Sequence, residues 1–318
     1  MEGVDMMPDQ TTPGVVLVGF LSNCDESILS CQLGNGFVTE TLEFREGLEL
    51  LKELNGSTND FEFFNKYVGM GIFTDSSKPF YVISKTINPG ITVGTPISID
   101  EIQKFHHHSF ELHNEWVAYV HHKLRLMRLF REGNIVSPLQ VIYIDQKKPI
   151  RLSTGFSLNN VEREEYHLDE CEIGILSEFI RETVLPFKDQ SLNLALASFE
   201  NTYDLNHLGL ALVSCVMGLE CLLSDGGSGK SYKLARNLAI LLGKDGDSSR
   251  NIYERVRELY GKRSKIVHEG YNRITPEDVK EGRNLVRESI KHYLRAGLPK
   301  TELLSKLNTM GYSEDRRW

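Results

Sequence analysis

Residues 205–223 read Leu-Asn-His-Leu-Gly-Leu-Ala-Leu-Val-Ser-Cys-Val-Met-Gly-Leu-Glu-Cys-Leu-Leu. Leu208, Leu210, Leu212, Val213, Val216, Met217, Leu219 and Leu222 put apolar side chains on almost every side of a 3.6-residue turn. A helix that is apolar all round is the buried centre of a helical bundle. Glu220 is the one acid within it. A carboxylate in such a helix usually needs a partner; Lys233 or Arg236 of the following helix are the candidates, and the alternative is an exposed Glu at the helix end.

Working outward, the flanking segments also read as helices. One starts at Asp169 or Glu170, runs through Ile173, Leu176, Phe179 and Ile180, and stops near Pro186. A second covers Ser191 to Tyr203. Beyond the apolar helix, Ser231–Leu242 and Asn251–Tyr260 are amphipathic. Thr275-Pro276-Glu277-Asp278 is a strong helix start: a Thr N-cap, Pro at the first position and acids in the first turn. That helix continues to about Ala296, and Leu303–Met310 forms a small tail helix.

Between the last two long helices lies Gly261-Lys262-Arg263-Ser264-Lys265-Ile266-Val267-His268-Glu269-Gly270. Histidine exchanges a proton near neutral pH. Arginine is a permanent cation whose planar fork matches phosphate oxygens. Together they are a minimum kit for cleaving a phosphodiester without a metal, the His moving protons and the Arg steadying charge on phosphate; the alternative is a surface His and a solvated Arg at a helix end. Five residues advance a helix by about 140°, so Tyr260, Ser264 and His268 share a face and Arg263 lies off it. Convergence needs a long Arg reaching round, a break near Gly261, or a partner subunit.

This order of helices, with Leu219-Glu220-Cys221-Leu222-Leu223, Tyr232-Lys233-Leu234-Ala235-Arg236-Asn237-Leu238-Ala239 and then Arg263 to Gly270, resembles the HEPN superfamily and within it the ApeA-like branch. The resemblance covers roughly 130 of the 318 residues. It implies a helical bundle carrying an Arg-x4-6-His motif and a metal-independent ribonuclease without cofactor. It also implies a homodimer in which the motif of each subunit lines one cleft. By that resemblance His268 is the general acid or base and Arg263 the phosphate clamp. Ser264 orients His268 or the substrate, where many members have Asn, Asp or His. Lys262, Lys265, Lys233 and Arg236 are candidate RNA contacts, and Glu220 and Tyr260 supporting residues. The implied products are 2′,3′-cyclic phosphate and 5′-OH ends, and the implied setting is phage defence or a toxin-like stress response. A phage or regulatory trigger would be sensed by the N-terminal domain. Two other readings stand beside this one. A non-catalytic HEPN module, favoured by Ser264, would bind RNA, nucleotide or a protein partner. A metal-dependent activity would use N-terminal histidines.

Charge distribution fits either a localised anionic ligand or helical surfaces that are simply rich in Lys and Arg. The chain has 36 Lys and Arg against 44 Asp and Glu. Residues 230–300 hold 17 of those bases and only 9 of the acids, leaving 19 against 35 elsewhere. A basic region in an otherwise acidic protein concentrates a field at one place. No apolar run approaches the roughly 18 residues that span a bilayer, and Met1–Pro13 lacks the pattern of a signal peptide. Cys24, Cys31, Cys171, Cys215 and Cys221 are odd in number and unpaired in pattern, and Cys215 and Cys221 read as small core residues. A cytoplasmic, membrane-free protein is expected.

The first part reads as a mixed α/β sensor or interaction domain over 14–165, after a disordered 1–13. Strands are expected at Val15–Phe20, Gly36–Leu42, within Asp60–Gly71, at Phe80–Ser84, Leu139–Ile144 and Ile150–Ser157. A short helix is expected at Arg45–Leu54 and a long one over Ser98–Glu132. The overall expectation is an α+β N-terminal domain, an all-α HEPN-like bundle over 166–298 and a tail helix within 299–318. His106, His107, His108, His113, His121 and His122 cluster in the long helix without a known metal spacing. Gly226-Gly227-Ser228-Gly229-Lys230-Ser231 resembles the end of a phosphate-binding P-loop, but Ser224 stands where the first Gly belongs.

Overall fold

The computed structural model describes residues 15–47, 49, 79–87, 99–144, 148–154, 164–270 and 273–311. The chain divides into two compact units between Thr183 and Val184. The first holds a small antiparallel sheet; the second is helical. The expected strand within Asp60–Gly71 and most of the helix Arg45–Leu54 lie outside the described residues, as does 1–13.

The sheet of the first unit has the order β2-β3-β1-β4-β5. Its strands are β1 (Val15–Ser22), β2 (Val38–Leu42), β3 (Phe80–Ile87), β4 (Val136–Ile144) and β5 (Lys148–Thr154). β1 is central and runs antiparallel to both neighbours. Its Leu17, Val18, Phe20 and Leu21 are all buried, as an apolar run in a strand covered on both faces requires. Helix α1 (Ile99–Phe130) lays Trp116 and Tyr119 on Phe37, with ring centroids 5.0 and 4.0 Å away.

Helix α2 (Glu170–Glu182) belongs to this unit, so the division falls later than the expected 165/166. Tyr166, Leu168 and Asp169, just past the expected boundary, are tied to this unit. Arg131 at the end of α1 pairs with Asp169 at 2.7 Å and with Glu172. The Tyr166 amide donates to the Asn23 carbonyl at 2.9 Å, and the Leu168 amide donates to Ser27 Oγ at 2.9 Å. Phe179 packs on Phe130.

The second unit contains α3 (Gln190–Asp204), α4 (Leu208–Leu223), α5 (Lys230–Leu242), α6 (Gly246–Glu269), α7 (Pro276–Ala296) and α8 (Lys300–Thr309). α4 is its core, with Ala211, Leu212, Cys215, Val216, Leu219, Leu222 and Leu223 buried. Burial pushes the Cys215 thiol up to about 12, which makes it an inert core residue, as its sequence context indicates. Gly282 of α7 faces Cys215; a Cβ there would stand 3.0 Å from the Cys215 Cβ. Glycine therefore lets α4 and α7 pack closely. A buried polar layer ties α3 to α7: Arg287 donates to Tyr203 Oη at 3.1 Å, Arg283 to Thr202 Oγ1 at 2.9 Å, and the Tyr293 hydroxyl to Asp189 at 2.8 Å.

Candidate functional site

α6 carries the Arg-His stretch, and its ends are fixed locally. Asp245 caps it by accepting the Ser248 amide at 2.7 Å. Gly270 ends it in the left-handed region at φ 66°, donating to the Lys265 carbonyl. Between them the helix runs unbroken through Gly261, so no break there brings Arg263 and His268 together. Val256 and Leu259 are buried, and Ile266 packs on the cluster of Ala211, Leu212, Leu259, Ile274 and Val279. These apolar positions set how the helix is turned about its axis. Tyr260 and Arg263 are thereby presented to Glu220 of α4, while His268 is exposed in the last turn. Arg263 and His268 remain about 140° apart around α6 and about 7.5 Å apart along it.

Glu220 joins this group, which corrects the partner expected for it: Tyr260 and Arg263 meet it, not Lys233 or Arg236. The Tyr260 hydroxyl donates to Glu220 Oε1 at 3.1 Å, and Arg263 Nη2 lies 3.8 Å from Glu220 Oε2. The Arg263 and Glu220 side chains are 25% and 22% exposed, so the pair is partly shielded from water. The guanidinium carbon lies 5.9 Å from the Tyr260 ring centroid. Burial, then the Glu220 charge and its hydrogen bond, raise the Tyr260 pKa, with Arg263 opposing. Arg263 Nε is buried and has no hydrogen-bond partner among the described residues. At 3.8 Å Glu220 neutralises the guanidinium without a hydrogen bond, which leaves donors of the fork for an anion.

The expected cation cluster is largely turned to structural work. Lys262 donates to Asp278 at 2.7 Å and pairs with Glu258 at 2.9 Å. Arg255 completes that network, reaching Asp278 at 2.8 Å, Glu258 at 2.6 Å and Glu281 at 2.5 Å. Burial alone would raise the Asp278 pKa, but hydrogen bonds from Lys262, the Thr275 amide and Arg255 bring it down to about 2. Lys233 pairs with Asp225 at 3.2 Å. Arg236 donates to the carbonyls of Leu307 and Met310, each at 2.7 Å, and so caps the end of α8. Lys262, Lys233 and Arg236 are thus held by protein groups, whereas sequence alone made them substrate contacts. Lys265 is exposed, and Ser264 is half-buried between Tyr260 and His268 on one face.

Three side chains beside this group were not singled out from sequence. Tyr253 and Arg257 precede Tyr260 by seven and three residues on α6, and Tyr232 meets Tyr253 from α5 with ring centroids 6.1 Å apart. The repeat of Tyr253 at heptad spacing from Tyr260 was a legible signal; the contact with Tyr232 was not.

The other candidates stay apart from this site. The side chains of His106, His107, His108 and His113 lie outside the described residues. Among the described residues no three His, Cys, Asp or Glu are grouped to hold a metal. The 226–229 loop turns through left-handed Gly226, Gly227 and Gly229 and joins two helices, whereas a P-loop follows a strand. Among the described residues no helix is long and apolar enough to cross a membrane. No protein-family model, curated protein or solved structure matches the chain.

Proposed function

We propose that the second unit is a HEPN-type, metal-independent endoribonuclease that acts as a homodimer. The observation that carries the reading is the pairing of Arg263 with Glu220 and Tyr260 on the same helix whose last turn exposes His268. A held arginine and a solvent-facing histidine, one from each copy of a dimer, are the set needed to bind a phosphodiester and move its protons. In the reaction the ribose 2′-oxygen bonds to phosphorus as the bond from phosphorus to the 5′-oxygen breaks. The proton leaves the 2′-hydroxyl and one arrives on the 5′-oxygen, with His268 as acid or base. Arg263 steadies the charge on the remaining phosphate oxygens, and Ser264 orients His268 or the phosphate.

A second copy supplies what the 140° separation withholds. Leu210 and Met217, seven residues apart on α4, are 50% and 44% exposed, and Val267 on α6 is 52% exposed. The N-terminal end of α4 lies beside the C-terminal turns of α6, a Cβ on Gly209 reaching within 3.7 Å of Ile266. Exposed apolar side chains flanking a charged site suit burial against a partner, and a twofold pairs each patch with its copy. By analogy alone, the first unit controls when cleavage happens, in answer to a phage or a stress.

A non-catalytic module that binds RNA or a protein is the second reading. The engagement of Lys262, Lys233 and Arg236 by protein groups favours it, since fewer cations remain for a phosphate backbone.

The deciding experiment is RNA cleavage in EDTA by the parent chain, His268→Ala and Arg263→Ala, with analysis of product ends. Cyclic-phosphate ends made by the parent and lost in both variants support the ribonuclease. Cleavage that survives both substitutions removes it, and RNA bound but never cut supports the second reading.

A further inference from the structure

The face of α6 that carries His268 is lined upstream by aromatic and basic side chains. On a regular helix Arg250, Tyr253, Arg257, Tyr260, Ser264 and His268 fall within about 80° of one another. Measured from Tyr253, the acids of α6, Asp247, Glu254, Glu258 and Glu269, all lie off this face, from about 100° to about 160°. Among the side chains of α6 this face therefore carries Arg250 and Arg257 and no acid, and Glu220 of α4 meets it at Tyr260.

Tyr232 of α5 joins this face and widens it. It is 52% exposed, and its ring meets Tyr253 edge-on, the planes 77° apart. Arg257 donates to the Tyr253 hydroxyl at 3.2 Å and lies 6.0 Å from its ring centroid. Tyr253 thus meets both the exposed Tyr232 ring and the Arg257 guanidinium, two aromatic rings and a cation at one place on the surface. Flat π-faces beside guanidinium groups are what a single strand of nucleic acid binds: bases stack on the rings and phosphates meet the arginines. A duplex hides its bases and cannot use them.

We infer that Tyr232, Tyr253 and Arg257 form a base-stacking platform for a single-stranded stretch of the RNA substrate, entering along α6 toward His268. Tyr253 precedes His268 by about 22 Å along the helix, a reach of several nucleotides. The platform rests on the ribonuclease reading for the identity of its ligand, and it makes that enzyme selective for unpaired RNA. Arg250 is placed to hold phosphate at the far end of the track.

The test is binding of a fluorescein-labelled oligouridylate to the full chain carrying His268→Ala, followed by anisotropy in EDTA. Tyr232→Ala and Tyr253→Ala should each weaken binding about tenfold, the scale of one lost base stack, and Tyr253→Phe should keep it. Tyr232 is exposed, so its loss leaves the fold intact. Binding of both Ala variants at parent strength overturns the platform, as does a parent that binds an RNA duplex as tightly as the single strand. A parent that binds an acidic peptide and not the oligouridylate overturns it too. The two proposals fail separately. RNA cleavage with tyrosine-independent binding ends the platform alone; tyrosine-dependent binding by a chain that never cuts RNA ends the ribonuclease alone.

Discussion

Glu220, the one acid of the apolar helix α4, lies 3.8 Å from Arg263 of α6 and accepts the Tyr260 hydroxyl at 3.1 Å. The carboxylate holds the arginine in place and also competes with any phosphate that the arginine would bind. Glu220→Gln keeps the hydroxyl contact and removes the charge. It should tighten RNA binding several-fold on the His268→Ala chain while costing at most about 1 kcal/mol of stability, the scale of a partly exposed pair. Glu220→Ala should instead loosen Arg263 and lower cleavage. Weaker binding in Glu220→Gln would show the carboxylate to be purely a positioning group.

Asp278 predicts the acid limb of stability. Its folded pKa, about 2, lies below its ordinary value of 3.8. A depressed carboxylate contributes stability above its unfolded pKa and loses it as pH falls toward 2. Its side chain is 2% exposed, so the shift corresponds to about 2 kcal/mol. Asp278→Asn should lower stability by roughly that amount at neutral pH. Chemical denaturation should then show a flatter decline between about pH 4 and 2 than in the parent.

Tyr260 predicts a limb on the alkaline side. Its pKa is raised from 10.0 by burial and by Glu220. The neutral hydroxyl is favoured in the folded chain, so this contribution is complete below pH 10 and fades as pH rises through the folded pKa. Tyr260→Phe should remove that part of the alkaline decline, and ultraviolet titration of the tyrosinate should read the change directly.

Arg236 should matter for the end of the chain and not for the ligand. Arg236→Ala frees the carbonyls of Leu307 and Met310, hydrogen bonds to a charged donor worth about 1.5–3 kcal/mol. Hydrogen exchange within α8 should accelerate while RNA affinity stays near that of the parent. A marked loss of RNA binding would restore the role that sequence alone suggested.

Gly261 sits inside α6, and a Cβ there would meet nothing within 4 Å. Gly261→Ala should therefore stabilise the helix by about 0.5–1 kcal/mol, since glycine carries the larger backbone entropy cost. A raised Tm with unchanged cleavage would assign the glycine no catalytic part. A raised Tm with lost cleavage would mean that the substrate backbone approaches α6 at this point.

The sequence by itself determined the helices of the second unit, because the signals for them are local. Thr275 and Asp278 cap α7 through groups three residues apart, and the uniform apolar character of 208–223 marks α4 as the bundle centre whatever surrounds it. Side-chain partnership is not local. Lys233 and Arg236 follow Glu220 closely in sequence, yet Tyr260 and Arg263, 40 and 43 positions onward, are the residues that reach it. The choice depends on how Val256, Leu259 and Ile266 turn α6 against α4. The division expected at 165/166 falls later for the same reason: the contacts of Tyr166, Leu168 and Asp169 with Asn23, Ser27 and Arg131 are made across more than a hundred residues in two of those cases. Composition and spacing fix what each segment can become. Only packing decides which charges meet, because an ion pair needs two side chains within about 4 Å, and that distance is set by the register between elements far apart in the chain.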